Sequence, residues 1–300
     1  MDLSIIIVNY NTKELTGNCI KSVIKNTQNV YYEIILVDNA SKDGSCKYLK
    51  ELFPSVQIIT NSDNLGFAKA NNAGIRVAKG KFILLLNSDT VFIENCLPQL
   101  LAFLNDTPTA GVVGCKVLNA DKTLQGSVYH FPSVLSELMF FTKGIIKDFW
   151  EPVTYFYKMR YWDHKQIRQV DCVSGCFFMI KKEVLEEIGL LDEEFVMYYE
   201  DSEFCLRMRR LSKFVTYYYP FVSIVHFQGK SKIDLNVVTL GHCYKSALVY
   251  LRKSYGLFAQ NVFDICTKSL LSMEYLLMLP FCFIYKVRGK TRILWQLIWL

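Results

Sequence analysis

The apolar positions of the first 115 residues fall into short continuous runs separated by stretches of helical spacing. "LSIIIV" (3–8), "EIILVD" (33–38), "VQIIT" (56–60), "KFILLL" (81–86) and "GVVGCKVL" (111–118) have the length and β-branched content of buried strands. Runs of that kind belong to sheets covered on both faces. Between them lie "TKELTGNCIKSVIKNT" (12–27), "GSCKYLKELF" (44–53), "GFAKANNAGIRVA" (66–78) and "ENCLPQLLAFL" (94–104). Their apolar residues recur at three- and four-residue steps, which predicts amphipathic helices. Thr12 reads as the N-cap of the first. Such strand–helix alternation predicts an α/β fold, a mostly parallel sheet flanked by helices with right-handed crossovers.

The regularity stops in the aromatic-rich segment 120–170, which reads as an insertion or flap over a cleft, with no element assigned. Beyond it, 170–189 reads as a strand running into a helix, and 190–210 as a loop and then a helix starting near Glu200. Strands are predicted at 213–219 and 222–227, and helices at 237–255 and 257–279.

The polar residues that follow the strands change the picture. After the first four come Asn9-Tyr10-Asn11, Asp38-Asn39-Ala40-Ser41, Asn61-Ser62-Asp63-Asn64 and Asn87-Ser88-Asp89. One such cluster is an ordinary turn. Four in series at the carboxyl ends of parallel strands, where ligands of open α/β sheets bind, predict a polar cleft.

Composition, the N-terminal run and the distribution of charge add four constraints. Hydrophobic content of 51% and a mean hydropathy of +0.18 suit a globular protein with some membrane-facing surface. The ten cysteines form no C-x-x-C pair, and Cys172 and Cys176, the nearest thing to a metal half-site, have no second pair of matching spacing. The N-terminus "MDLSIIIVNYN" enters a β-branched run with no basic stretch before it. It reads as a first strand rather than a leader, so a reducing, cytoplasmic setting is expected. Residues 231–300 hold nine Lys/Arg and three acids, which accounts for the entire net charge of +6. The basic character is a property of the tail, so a nucleic-acid-binding body is not expected.

No G-x-G-x-x-G, G-x-x-x-x-G-K-[ST] or G-x-S-x-G occurs, which removes the main support for dinucleotide oxidoreductase, P-loop and serine-hydrolase chemistry. Carboxylates remain. Asn87 and Asp89 place two oxygen donors on alternate residues of a turn, where both can face a hard cation such as Mg²⁺ or Mn²⁺ that also binds substrate phosphates. Glu200 and Asp201 open a helix behind the apolar "FVMYY". An acidic first turn is ordinary there, but a carboxylate in an apolar wall has a raised pKa and can serve as a base. His226 lies in "IVHFQGKS" ahead of a loop with Gly229 and Ser231. His130, His164 and His242 have no comparable context.

The segments "SIIIVNYNT", "VDNASKDGS", "NLGFAKANNAGI", "LLLNSDT", "VSGCFFMIKKEVLEEIGLLDEEFVMYYEDSEFCLRMRR" and "HFQGKS", in order over 4–231, resemble the inverting family 2 glycosyltransferases of GT-A fold, nearest the bacterial rhamnosyltransferase type. The resemblance implies that Asp38 bonds the pyrimidine of a nucleotide-sugar. It also implies that the Asn64–Asn72 segment, with Asn64 and Asn71, lines the nucleotide side together with Asn9. Asn87-Ser88-Asp89 stands for the family's D-x-D motif, with Asp89 on the metal and His226 a further metal or diphosphate ligand. Glu200-Asp201 matches the family's acidic pair, with Asp201 as base. The first acid of D-x-D is Asn87 here, which leaves one negative charge fewer on the cation.

The implied reaction is metal-assisted transfer of a sugar from dTDP-rhamnose or a UDP-hexose to a hydroxyl of a lipid-linked or surface-polysaccharide acceptor. Residues 1–231 are expected to form the catalytic domain and 232–300 a basic helical extension. Two other functions compete: a sugar nucleotidyltransferase and a non-catalytic sugar- or lipid-binding module. The first wants a Gly-rich basic loop after the first strand, which "NYNTKELTGN" lacks; the second would not need Asp89, Asp201 and His226 intact. In the tail, the uncharged run Tyr275–Tyr285 is too short to span a bilayer and contains Pro280. Lys286, Arg288, Lys290 and Arg292 follow, then Trp295 and Trp299. That order suits peripheral contact through 269–300 with an anionic inner leaflet. The competing reading makes the same segment a core helix pair or an oligomer-contact one, and only in the second case is the chain a homo-oligomer.

Overall fold

The computed structural model of the chain describes residues 1–142, 147–227, 237–281, 291 and 294–299. The first half follows the expected alternation: β1 (Leu3–Asn9), α1 (Lys13–Asn26), β2 (Tyr32–Asp38), α2 (Ser45–Leu52), β3 (Gln57–Thr60), α3 (Phe67–Val77), β4 (Phe82–Asn87), β5 (Thr90–Phe92), α4 (Leu97–Asp106) and β6 (Ala110–Leu118). The middle segment contains β7 (Val128–Tyr129), α5 (Val134–Thr142) and α6 (Lys147–Tyr157). Next come β8 (Arg168–Val170), β9 (Cys172–Val173), β10 (Phe177–Lys181), α7 (Lys182–Ile188), α8 (Glu200–Leu211) and β11 (Val215–His226). α9 (Val237–Tyr255) and α10 (Leu257–Met278) follow.

The nine-stranded sheet runs β3-β2-β1-β4-β10-β6-β11-β5, with β8 pairing β11. β1, β2, β3 and β4 are mutually parallel, as the alternation predicts. β10 lies antiparallel between β4 and β6, so the segment after the insertion re-enters the middle of the sheet instead of extending its edge. The two strands expected at 213–219 and 222–227 are one strand, β11. Its ladder shifts register between Tyr219 and Ser223. Pro220 sits at that shift, where its missing N–H costs no ladder bond.

Thr12 does not cap α1. Its hydroxyl donates instead to Asn9 Oδ1 at 2.8 Å, and the first helical N–H, that of Lys13, is taken up by Asp43 Oδ2 at 3.0 Å from the β2–α2 loop. α4 begins at Leu97 rather than near 94, with Pro98 in a first turn where its missing N–H is not needed.

Period-two alternation divides the core. Ile5, Ile7, Leu84 and Leu86 pack with Ile20, Val23, Leu100 and Leu104 of α1 and α4. Ile6, Ile83 and Leu85 point the other way, against Ile75 of α3, Leu185 of α7 and Phe204 of α8. Each such fully buried side chain contributes about 1.5–3 kcal/mol, so the edge where β1, β2 and β4 end is rigidly placed. A third cluster joins Tyr244, Tyr250, Leu251 and Phe263 of α9 and α10 to Leu206, and to Leu138 and Phe141 of α5. The C-terminal helices therefore share a core with the middle segment.

Candidate active site

Parallel register brings the strand-end clusters to one edge: Asn9 pairs with Asp38, Val8 with Asn87, and Asp38 with Thr60. β10 is antiparallel, so its beginning lies at the same edge, and the Asn87 N–H donates to Cys176 O at 3.1 Å. β11 ends there as well. His226 pairs with Thr90, and the Phe227 N–H donates to Asp89 O at 2.9 Å.

Asn9 is fully buried and its hydrogen-bonding capacity is spent within the protein. Its amide donates to Asp38 Oδ1 (2.6 Å) and Ser41 Oγ (2.9 Å), and its Oδ1 accepts the Thr12 and Thr16 hydroxyls. Asp38 Oδ2 accepts the Ser41 N–H at 3.0 Å. Asn9 thus fixes the loop that presents Asp38. The second cluster centres on Asn39, whose amide donates to Asn64 Oδ1 (2.8 Å) while its own oxygen accepts Asn61 Nδ2 and the Leu65 N–H. Asn71 is buried and donates to Phe67 O within its own helix at 2.9 Å.

Gly66 takes φ +83°, and a Cβ there would stand 2.4 Å from Val196 O. Only glycine permits this approach, which brings the Phe67 N–H to Val196 O at 2.8 Å. Asn72 adds a two-way amide bond to the Leu191 backbone. The Asn64–Asn72 side of the cleft is therefore tied to the loop that leads into α8.

Asp89 Oδ1 lies 3.1 Å from His226 Nε2, and both residues are buried. His226 Nδ1 meets Gln125 Oε1 at 2.6 Å, and Asn87 Nδ2 stands 3.4 Å from His226 Nε2. A buried carboxylate and a ring nitrogen converging, with the far ring nitrogen held by an amide oxygen, are two donors that could hold a divalent cation if further ligands came from substrate. Among the described residues no cluster of three or more His, Cys, Asp or Glu could hold a metal by itself. Gly229 and Ser231, read as a ligand-approach loop behind His226, lie outside the described residues.

Glu200 and Asp201 open α8 directly after Tyr198 and Tyr199, both with left-handed backbone angles. Asp201 Oδ2 accepts the Gly175 N–H at 2.9 Å, and Oδ1 accepts the Ser202 N–H at 2.7 Å. Burial raises its pKa, and those donors pull it back down. Glu200 Oε2 has no hydrogen-bond partner, and burial, followed by the Asp201 charge, pushes its carboxyl up to about 8. Burial thus raises both carboxyls, and the Gly175 and Ser202 N–H groups favour the ionised form of Asp201 while Glu200 Oε2 has no such donor. Burial pushes the Cys176 thiol up to about 12, with the Asp89 and Asp201 charges adding to the effect. The Gly175-Cys176 dipeptide joins both segments, since the Gly175 N–H donates to Asp201 Oδ2 and the Cys176 carbonyl accepts the Asn87 N–H.

The sequence reading missed Gln125 and the Gly175 amide, and it placed Asn39 and Ser41 in a strand-end cluster without giving either a role of its own. Gly175 lies inside the quoted "VSGCFF" and could have been suspected from a glycine just before a strand. Gln125 carried no signal, because its role depends on a partner far away in the chain. Cys172 is buried, with its thiol beside the Tyr129 carbonyl, which fits a packed thiol better than a metal ligand.

The family model for glycosyl transferase family 2 matches residues 4–189. The low-salt glycan biosynthesis hexosyltransferase Agl10 of Haloferax volcanii is 27% identical over 70% of this chain, which spans 62% of its length. The N-acetylglucosaminyl-diphospho-decaprenol L-rhamnosyltransferase of Mycobacterium tuberculosis is 22% identical over 73% of this chain and 74% of its own. Among solved structures, the mannosyltransferase PcManGT of Pyrobaculum calidifontis, in complex with GDP-Man and Mn²⁺, shares the fold. Its TM-score is 0.58 at 16% identity, over 99% of this chain and 84% of that one.

Proposed function

The chain belongs to glycosyl transferase family 2, and from that premise we propose that it moves a sugar from dTDP-rhamnose or a UDP-hexose to a hydroxyl of a lipid-linked or surface-polysaccharide glycan, with inversion. The observation that carries this reading is the Gly175-Cys176 dipeptide, whose Gly175 N–H donates to Asp201 Oδ2 at 2.9 Å and whose Cys176 carbonyl accepts the Asn87 N–H at 3.1 Å, so that Asp201 and the turn holding Asp89 meet at one short segment. One carboxylate with His226 suits the diphosphate end of a donor, and the other suits an acceptor.

Asp201 accepts the proton of the acceptor hydroxyl. The oxygen bonds to the anomeric carbon as the bond from that carbon to the diphosphate oxygen breaks, and the nucleoside diphosphate leaves from the far face. One base and no covalent intermediate give inversion, as in inverting glycosidases. The Gly175 and Ser202 N–H groups favour the ionised form of Asp201 and aim it. Glu200 is neutral and stands beside the base. Asp38 and the Asn64–Asn72 segment, with Asn71, border the nucleoside. Asp89 and His226 would hold Mg²⁺ or Mn²⁺, whose charge offsets that of the departing diphosphate. The Mn²⁺ in the Pyrobaculum relative supports that assignment, and the lipid diphosphate named for the mycobacterial relative supports the acceptor class.

In this reading 1–231 is the catalytic region, and 232–300 is a helical extension that meets the inner face of the cell membrane peripherally. Among the described residues no helix is long and apolar enough to cross a membrane. The test is nucleoside diphosphate release from a donor panel with Mg²⁺ or Mn²⁺, followed by NMR of the product. An anomeric configuration unchanged from the donor would refute the single-base mechanism.

A further inference from the structure

Tyr198 and Tyr199 take φ values of +70° and +68° immediately before Glu200 and Asp201. Bulky residues rarely occupy this region, and they stay there only where their surroundings hold them. The groups that hold Tyr199 come from three elements. Its hydroxyl donates to Oε2 of Glu137 in α5, and Glu137 Oε1 accepts the Ser136 hydroxyl at 3.2 Å. Its ring leans on Tyr250 of α9, with centroids 5.7 Å apart. Its carbonyl accepts the Glu203 N–H at 2.8 Å and so starts α8.

Glu137 is 2% exposed. A carboxyl that deeply buried is costly unless its bonds compensate, and nothing in the reaction described above uses it. We propose that Glu137 is a positioning residue for Asp201. It fixes Tyr199, and Tyr199 sets the angle at which α8 presents the Asp201 carboxylate to the Gly175 amide and to the acceptor hydroxyl. The inference rests on the reading of Asp201 as the base. It makes the segment between 120 and 170 part of the catalytic geometry.

Two readouts test it. The first needs no turnover. Selective ¹⁵N labelling of the 15 glycines reports the Gly175 amide, which donates to Asp201. Tyr199→Phe keeps the ring and loses only the hydroxyl. That variant and Glu137→Leu should move the Gly175 resonance, whereas Glu137→Gln, which retains an acceptor oxygen, should leave it near the wild-type position. The second readout is release of nucleoside diphosphate from dTDP-rhamnose and UDP-glucose with Mn²⁺, using N-acetylglucosaminyl diphosphate on a short alkyl chain as acceptor. Turnover should fall about 10- to 100-fold in Tyr199→Phe and Glu137→Leu, the cost of a misplaced reacting group. Donor KM should stay within about twofold, and Glu137→Gln should recover most of the loss.

An unmoved Gly175 resonance in both disruptive variants overturns the positioning contact. So does a Glu137→Gln variant as impaired as Glu137→Leu, or a parallel rise in donor KM. Turnover retained in Asp201→Asn overturns the base reading instead, while the Gly175 signal still reports whether Glu137 sets the geometry.

Discussion

His226 Nε2 stands 3.1 Å from Asp89 Oδ1, and Gln125 determines what that contact can do. The Gln125 amide nitrogen donates to Asn119 Oδ1 and to the His226 carbonyl, so its Oε1 is the acceptor facing Nδ1. On that assignment Nδ1 is the donor to Gln125, and Nε2 faces the same space as the carboxylate, where it can serve as a ligand. Asp89→Ala should then abolish transfer and the Mn²⁺-dependent part of donor binding by calorimetry, with the fold retained by circular dichroism. Gln125→Ala keeps both ligands but frees the ring, and should weaken metal affinity about 10- to 100-fold. Wild-type activity that survives excess chelator would sink the metal assignment.

Asp201 and Glu200 should separate cleanly by substitution. Asp201→Asn is nearly isosteric and cannot take a proton, so transfer should fall about 10²- to 10⁴-fold with donor affinity little changed. Glu200→Gln mimics the neutral acid already present and should be mild. Because burial raises the Asp201 pKa, activity should be lost as pH falls through that raised value, at a higher pH than for an ordinary aspartate. A severe Glu200→Gln beside a mild Asp201→Asn would reverse the roles.

The parts of this arrangement legible in sequence are those that local pattern controls. The β1, β2 and β4 runs and their Asn/Asp endings announce the sheet edge, because a rigid buried strand and the polar cluster it delivers are adjacent in the chain. The places of Asp89 and His226 at that edge were legible from the strands that end beside them, and that of Asp201 in the first turn of α8 from its acidic start. β10 was legible as a strand but not as an antiparallel one, since nothing local encodes a return to the middle of the sheet. Gln125 and Glu137 were not legible at all. Each acts through a partner brought close only by the tertiary fold, and an isolated Gln or Glu in an aromatic stretch has no periodic signature.

Two buried acids should make stability depend on pH. Burial pushes Glu200 up to about 8 and Glu137 up to about 7, from an unfolded value of 4.5. Between about pH 5 and 8 the folded chain therefore binds more protons than the unfolded one, and unfolding free energy falls as pH rises. That contribution is fully present below the unfolded value and is lost as pH rises through the folded values. Thermal melts at several pH values should show a wild-type decline that Glu200→Gln and Glu137→Gln each flatten. An unchanged slope in both variants would mean that these acids are not held neutral.

The last prediction concerns the outer face of α10. Phe258, Ile265, Met273, Leu276 and Leu277 are exposed, while Phe263, Leu271 and Glu274 on the opposite side are buried. The exposed set carries no charge, and Trp295 and Trp299 continue it, with the Tyr275, Trp295 and Trp299 rings in sequence at 5.4 Å spacings. Lys286, Arg288, Lys290 and Arg292 lie outside the described residues, but they add four positive charges to this part of the chain. An uncharged apolar face beside tryptophans and a basic run suits the headgroup layer of an anionic leaflet. Deleting 269–300 would be a poor test, because Leu271 packs against Leu294 and Leu297. Surface substitutions avoid that damage. The wild-type chain should sediment with vesicles containing phosphatidylserine, less so as salt rises. Phe258→Ser, Leu276→Ser and Leu277→Ser combined should lose most of that binding and keep turnover on the soluble acceptor. If the variant binds as well as wild type, or neither binds, the membrane reading falls. A dimer in sedimentation equilibrium that the same substitutions abolish would instead assign this face to a second copy of the chain.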